Sequence, residues 1–115
     1  MKKNPEVFIE HILECMELIQ KYLKNATKAE FLDSKQLQDS VIRRIEIIGE
    51  AVKNIPAGLK VKYRGIPWKQ MAGMRDILIH EYFGIDLELT WKVAVKDMPG
   101  IKNKISKIKK DLQKE

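Results

Sequence analysis

Residues 37–55, LQDSVIRRIEIIGEAVKNI, decide the fold class of this 115-residue chain. Their apolar side chains recur every three or four residues, which is the period of an amphipathic α-helix; they are Leu37, Val41, Ile45, Ile48, Val52 and Ile55. A helix of about 20 residues is roughly 30 Å long. Gly49 costs about 1 kcal/mol relative to Ala inside a helix, so we expect it to permit a close helix crossing.

The same helical period continues toward the N-terminus. A first helix is expected to begin at Pro5, where the missing N–H costs nothing, and to end near Asn25. The sequence TKAE at residues 27–30 is a capping-box pattern that predicts one short helical turn. Asp33 or Ser34 can then cap the long helix that follows.

Toward the C-terminus, residues 56–66 are expected to form a connection with one helical turn. A third helix should begin at Pro67 and end at Phe83-Gly84-Ile85, whose glycine suits a left-handed terminator. Asp86 can cap a fourth helix, and Pro99 can begin the last one. No segment alternates with period two for long enough to form a strand. The sequence therefore predicts an all-α, antiparallel, up-and-down bundle of four to five helices, in a single domain spanning residues 1–115.

Composition is that of a soluble chain, with 44% hydrophobic and 33% charged residues. No stretch approaches the roughly 18 apolar residues that span a bilayer, and no uninterrupted apolar core follows the N-terminus, so we expect neither membrane contact nor a secretory signal. The single cysteine, Cys15, cannot form an intrachain disulfide and is expected to be a buried core residue. A cytoplasmic location is expected.

The net charge of +6 makes a polyanionic partner plausible. Residues 101–115 contain six lysines against two acids. A solvated helix face explains this lysine run as well as an RNA contact does.

Residues 73–83, GMRDILIHEYF, carry the candidate chemistry, because Arg75, His80 and Tyr82 gather near the end of an otherwise apolar helix. The neighbours of Arg75 at helical spacing are core residue types. A partly buried charge needs a partner or a ligand. An acid on the same segment or on another helix could pair with Arg75, and so could a phosphate.

These residue types suit RNA cleavage without a metal. Histidine titrates near neutral pH and can act as base or acid on the ribose hydroxyl and the leaving oxygen. Arginine offers a planar, charged fork that matches phosphate oxygens. Two alternatives remain open: Arg75 in a structural ion pair, for instance with Asp76 or Glu81, and His80 as a satisfied histidine near a helix end.

On one continuous helix, His80 would lie about 140° around the axis from Arg75. Either the helix loosens near His80, or the site is assembled across a twofold dimer in which each protomer supplies its own pair.

The pattern Arg75-x4-His80-x-Tyr82 resembles the signature of the HepT-like branch of the HEPN domains. The long helical stretch 38–51, Ile66-Pro67-Trp68 before the motif and Asp86-Leu87-Glu88-x-x-Trp91 after it resemble the same family in the same order. The resemblance covers about residues 8–112. One departure is Asp76, where many relatives carry Asn; an acid there could tune His80 or hold Arg75.

The resemblance implies a toxin of a toxin–antitoxin system: a homodimeric helical bundle whose two motifs face one cleft and cut RNA without a metal or other cofactor. By position, Arg75 would hold the scissile phosphate and His80 would be the acid–base residue. Tyr82 would receive AMP from a cognate minimal nucleotidyltransferase antitoxin, placing bulky negative charge in a cationic cleft.

Two other functions are considered: a non-catalytic nucleotide- or protein-binding subunit that docks a nucleotidyltransferase, and a structural helical dimer. A metal centre is not expected, because His11 and His80 are far apart in sequence and no group of ligands has metal-binding spacing. His11 is expected on the surface, and Trp68 and Trp91 in the core rather than as a base-stacking platform.

Overall fold

The computed structural model describes residues 4–80 and 84–114, without the side chains of residues 79 and 80. The described residues form α1 (Pro5–Leu23), α2 (Lys28–Asp33), α3 (Lys35–Lys53), α4 (Ala57–Lys62), α5 (Trp68–Leu78), α6 (Leu87–Lys92) and α7 (Met98–Gln113). A π-helical turn, Val93–Asp97, joins α6 to α7. Between α5 and α6, the two-residue segments β1 (Ile79–His80) and β2 (Gly84–Ile85) form an antiparallel pair.

Side-chain caps set the helix starts at the predicted places. Asn4 accepts a hydrogen bond from the backbone of α1, and Thr27 and Glu30 form the reciprocal capping box of α2. Of the two candidates for α3, Ser34 is the cap: its hydroxyl accepts from the Leu37 N–H at 3.2 Å. Each cap satisfies an N–H that a helix start would otherwise leave unpaired.

The all-α antiparallel bundle is confirmed. Helix α3 packs between α1 and α5, and α1 also packs against α7. Contacts along α1 and α7 run in opposite directions, since Lys102 meets Gln20 and Lys109 meets Glu10. The largest fully buried side chains come mainly from the apolar faces of these helices; they include Ile9, Ile12, Met16, Ile19, Val41, Val52, Ile105 and Ile108.

Gly49 lies where α3 crosses α5, as predicted. A Cβ at this position would be 3.1 Å from the carbonyl oxygen of Ala72 and 3.2 Å from that of Met71. Because both atoms belong to the α5 backbone, they cannot rotate away as a side chain would. The absence of a side chain at Gly49 therefore sets how closely α5 approaches α3.

Pro99 lies in the first turn of the last helix, as predicted, but the chain does not leave helical geometry before it. The helix continues from α6 through the π-helical turn into α7, with Pro99 in the first turn of α7. A proline ring collides with the carbonyl four residues earlier in an α-helix and lacks the N–H that would bond to it. Widening the preceding turn to π geometry accommodates the proline without a break.

Several single-residue predictions are confirmed. Cys15 is 3% exposed, and burial raises the pKa of its thiol despite the opposing charge of nearby Arg44. His11 is exposed. Trp68 is buried, with its indole N–H donating to the Tyr63 carbonyl at 3.1 Å.

In the described part of the chain, no helix is both long enough and apolar enough to span a membrane.

Candidate active site

Helix α5 ends at Leu78, three residues after Arg75. The prediction that this helix continues to residues 83–85 is wrong. The Leu78 carbonyl accepts a hydrogen bond from the Asp86 N–H at 2.7 Å, so a residue beyond β2 binds the helix end. Gly84 does have positive φ (+80°), as predicted, but it uses that conformation opposite His80 in the β-pair rather than at a helix end.

Because α5 ends before His80, Arg75 and His80 do not lie on one continuous helix. Since the backbone of His80 lies in β1, the 140° separation from Arg75 expected on an unbroken helix does not apply. Of the two alternatives, the loosening of the helix before His80 is the one observed. The side chain of His80 and the whole of Tyr82 lie outside the described part of the structure, and the roles predicted for them remain predictions.

Arg75 lies in the last turn of α5 with 54% of its side chain exposed. Its Nε donates a hydrogen bond to Oε2 of Glu46 on α3 at 2.8 Å, and the Glu46 side chain is 29% exposed. The hydrogen bond and the charge of Glu46 raise the pKa of Arg75, so the guanidinium is cationic at any physiological pH. Arg75 is thus less buried than its core-type neighbours suggested.

The Glu46 contact orients the guanidinium while leaving much of it available. Nη1 of Arg75 lies 3.6 Å from Oδ1 of Asp76, whose side chain is 83% exposed. Within residues 4–80 and 84–114, the Nη2 end of the fork has no hydrogen-bonded protein partner. A guanidinium that is fixed at Nε and open at Nη2 can bind a phosphate oxygen.

Glu46 is the site residue that sequence reasoning did not single out. An acid on another helix was one of the partners considered for Arg75, but its identity was left open. The available signal was a lone carboxylate in the apolar run Ile45-Glu46-Ile47-Ile48 of α3. Only the packing of α5 against α3 at Gly49 shows which acid meets Arg75.

Three of the six lysines of residues 101–115 contact the bundle itself. Lys102 donates to the Gln20 side chain at 2.9 Å, Lys104 donates to the Gly65 carbonyl at 3.2 Å, and Lys109 lies 4.0 Å from a Glu10 oxygen. These contacts favour the solvated-face interpretation of the run. The described residues contain no group of three or more His, Cys, Asp and Glu side chains placed to share a metal ion.

A family model described as "Ribonuclease HepT-like" matches residues 12–108. The chain belongs to the HepT-like ribonuclease family. It is 55% identical over 99% of its length to a Methanocaldococcus jannaschii protein named "Gamma-glutamylcyclotransferase and putative RNase", and it covers 51% of that protein. The chain therefore spans about half the length of this two-part relative.

Other HepT-like relatives match over nearly their whole length. The chain is 44% identical to a Thermococcus cleftensis protein named "Probable ribonuclease HepT", covering 96% of this chain and all of the relative. A second M. jannaschii protein, named "Putative RNase", is 44% identical, with 97% of this chain and 93% of the relative covered. No solved structure matches the chain significantly.

Proposed function

We propose that this HepT-like chain is the toxin subunit of a toxin–antitoxin pair and cuts RNA inside the cytoplasm without a metal ion. The observation that carries the proposal is the environment of Arg75, a half-exposed guanidinium that is held at Nε by Glu46 and whose Nη2 has no partner in the described part of the chain. In the proposed reaction Arg75 binds the scissile phosphate. His80 removes the proton from the ribose 2′-hydroxyl, and that oxygen attacks the phosphorus. The bond from phosphorus to the 5′-oxygen breaks as His80 returns the proton to the 5′-oxygen, which leaves a 2′,3′-cyclic phosphate and a 5′-hydroxyl.

The proposed active unit is a homodimer in which the motifs of two chains share one cleft. The family signature carries one Arg75 and one His80 per chain. A twofold axis brings two copies of each residue to one cleft, so that the Arg75 of one chain can act with the His80 of the other. The chain itself is proposed to be one HepT-like domain, as in the Thermococcus relative that it covers completely.

RNA cleavage in the presence of EDTA tests the nuclease proposal. We expect the purified chain to degrade RNA under these conditions. His80→Ala should lose at least 100-fold in rate, the lower end of acid–base catalysis, with an unchanged helical circular-dichroism spectrum. His11→Ala is the matched control, because His11 is an exposed histidine on α1. Equal activity of the two variants would remove His80 from the mechanism, and ATP or partner binding without RNA loss would favour the non-catalytic subunit.

Silencing of the toxin is proposed to occur at Tyr82. A cognate minimal nucleotidyltransferase would catalyse attack of the Tyr82 phenol oxygen on the α-phosphorus of ATP, with pyrophosphate leaving and the phenolic proton passing to a base. Intact-mass spectrometry after incubation with that enzyme and ATP should show added AMP. Tyr82→Phe should abolish the addition, whereas the control Tyr22→Phe on α1 should not. AMP attached equally to both variants would contradict this assignment.

A further inference from the structure

One segment in the middle of the chain contains basic residues but no acidic residue. Residues 51–75 contain six basic residues and no acidic residue, which equals the net charge of the whole chain, so the remainder is neutral overall. The segment runs from the end of α3 through α4 into α5, and its last basic residue is Arg75. A locally unbalanced charge of this size creates a positive potential that attracts polyanions.

Three of these cations line one surface groove. Lys60, Arg64 and Lys69 border a groove of about 540 Å³ whose other walls include Ile66, Pro67 and Trp68. We call this the basic groove. In the described structure no carboxylate lies within 4.0 Å of any of these three cations, whereas Lys53 of the same segment lies 4.0 Å from Glu50. The three charges are therefore not neutralised by the described part of the protein.

The basic groove is built on fixed structure rather than on a loose loop. The Trp68 indole N–H donates to the Tyr63 carbonyl on one side, and Lys104 of α7 donates to the Gly65 carbonyl on the other. Both bonds hold the connection between α4 and α5 in place. A preformed groove binds a ligand without the entropic cost of ordering its own walls.

Lys69 of the basic groove lies on the same helix as Arg75. The two residues are six apart on α5, which is about 9 Å along the helix axis and about 120° around it. Both side chains are exposed. A polymer bound in the groove would have to pass partly around α5 to reach Arg75, over a distance of a few of its repeating units.

We propose that the basic groove binds the sugar–phosphate backbone of single-stranded RNA next to the phosphate held by Arg75. The inference rests on the proposed nuclease function and assigns the flanking part of its substrate. Cations without a carboxylate partner in the described structure suit phosphates. Val61, which is 65% exposed, and half-buried Pro67 offer apolar surface for sugars and unstacked bases. Single strands are favoured because a groove with mixed cationic and apolar walls contacts both backbone and base faces.

The test measures RNA binding separately from cleavage. Lys60→Gln, Arg64→Gln and Lys69→Gln are combined in a chain that also carries His80→Ala, so that bound RNA stays intact. The control combines Lys21→Gln, Lys24→Gln and Lys35→Gln in the same background. These control lysines are exposed and lie at or near the opposite end of α3 from α4, so both variants lose three charges.

Fluorescence anisotropy with a labelled single-stranded RNA over a series of KCl concentrations gives the salt dependence of binding. Each lost phosphate contact lowers the slope of log K against log salt by about 0.7, so the groove variant should lose about 2 in slope and roughly 10- to 100-fold in affinity at 0.1 M salt. The control should retain most of its slope and affinity. Circular dichroism and the melting temperature should show both variants folded.

Equal slopes for the groove and control variants would overturn the proposal. The proposal would also be overturned if the groove mutations weakened the binding of a competing poly-glutamate peptide more than they weakened the binding of RNA. The groove would then be a protein-binding surface. Cleavage by the chain with His80 intact is measured in parallel. A chain that cuts RNA but binds it independently of the groove rejects only this inference, whereas a chain that binds RNA through the groove without cutting it rejects the nuclease.

Discussion

Arg75 is held by a carboxylate and is open to solvent at the same time, and both properties matter for a phosphate ligand. A fixed guanidinium loses less conformational entropy when it binds than a free arginine does. The carboxylate also reduces the local positive charge, which weakens attraction for RNA before any contact forms. Glu46 is therefore expected to favour the rate of the reaction at some cost in affinity for the substrate.

Glu46→Gln tests this positioning role. The pair is partly exposed, so its loss should cost less than about 1 kcal/mol in folding free energy and barely move the melting temperature. The rate constant kcat should fall about 10-fold because the guanidinium is less well aligned, while KM stays level or falls. Glu50→Gln, one turn further along α3 and 4.0 Å from Lys53, is the control and should leave both constants unchanged. A raised KM with normal kcat would instead make Glu46 irrelevant to alignment.

At the scale of elements, the crossing of α3 and α5 connects the fold to the site. The same crossing that places backbone carbonyls of α5 against Gly49 also places Arg75 beside Glu46, about one turn away on α3. Anything that separates the two helices should therefore weaken the ion pair as well as the core. The sequence indicated the close approach through its glycine but not the partner helix.

Gly49→Ala should destabilise the protein by about 1–2 kcal/mol. Overpacking against the two α5 carbonyls lowers the free energy of unfolding by about 1–3 kcal/mol. The better helix propensity of Ala raises it by up to about 1 kcal/mol. Gly100→Ala is the control, since this exposed helical glycine has open space around it, and it should leave stability equal or slightly higher. Urea denaturation measures both free energies of unfolding. A more stable Gly49→Ala chain would show that the helices adjust freely.

At the scale of the whole molecule, one chain contributes a single copy of the motif. The described bundle leaves Arg75 on its surface rather than in an enclosed cleft. A composite site formed by two chains would enclose the phosphate between the arginine of one chain and the histidine of the other. The basic groove would then extend from such a site along each protomer.

Mixing two inactive variants tests the composite site. If each site takes its arginine from one chain and its histidine from the other, a mixture of Arg75→Ala and His80→Ala chains should recover activity. Half of the dimers are mixed and each has one intact site, so about a quarter of the wild-type rate is expected after subunit exchange. Each variant alone should remain inactive. No recovery, with exchange verified by differently tagged chains, would place both groups of a site in one protomer.

The amino-acid sequence by itself determined the helical class, the helix starts and the family. These depend on local features, namely apolar period, capping residues and glycine or proline positions, whose energies act within a few residues. Its predictions were wrong where distant groups compete with local preference. Helix α5 ends at Leu78 because Asp86 reaches back to it. At Pro99 the last helix begins as predicted, but a π-helical turn joins it to α6 without a break.

Only the tertiary structure decided which carboxylate holds Arg75 and where the unbalanced positive charge is exposed. Sequence drew attention to the lysines of residues 101–115, yet several of these bind the bundle, whereas Lys60, Arg64 and Lys69 face an open groove. Glu46 and Arg75 are 29 residues apart, and their contact depends on how two helices cross. Such contacts arise from packing between distant segments, which local sequence patterns do not specify.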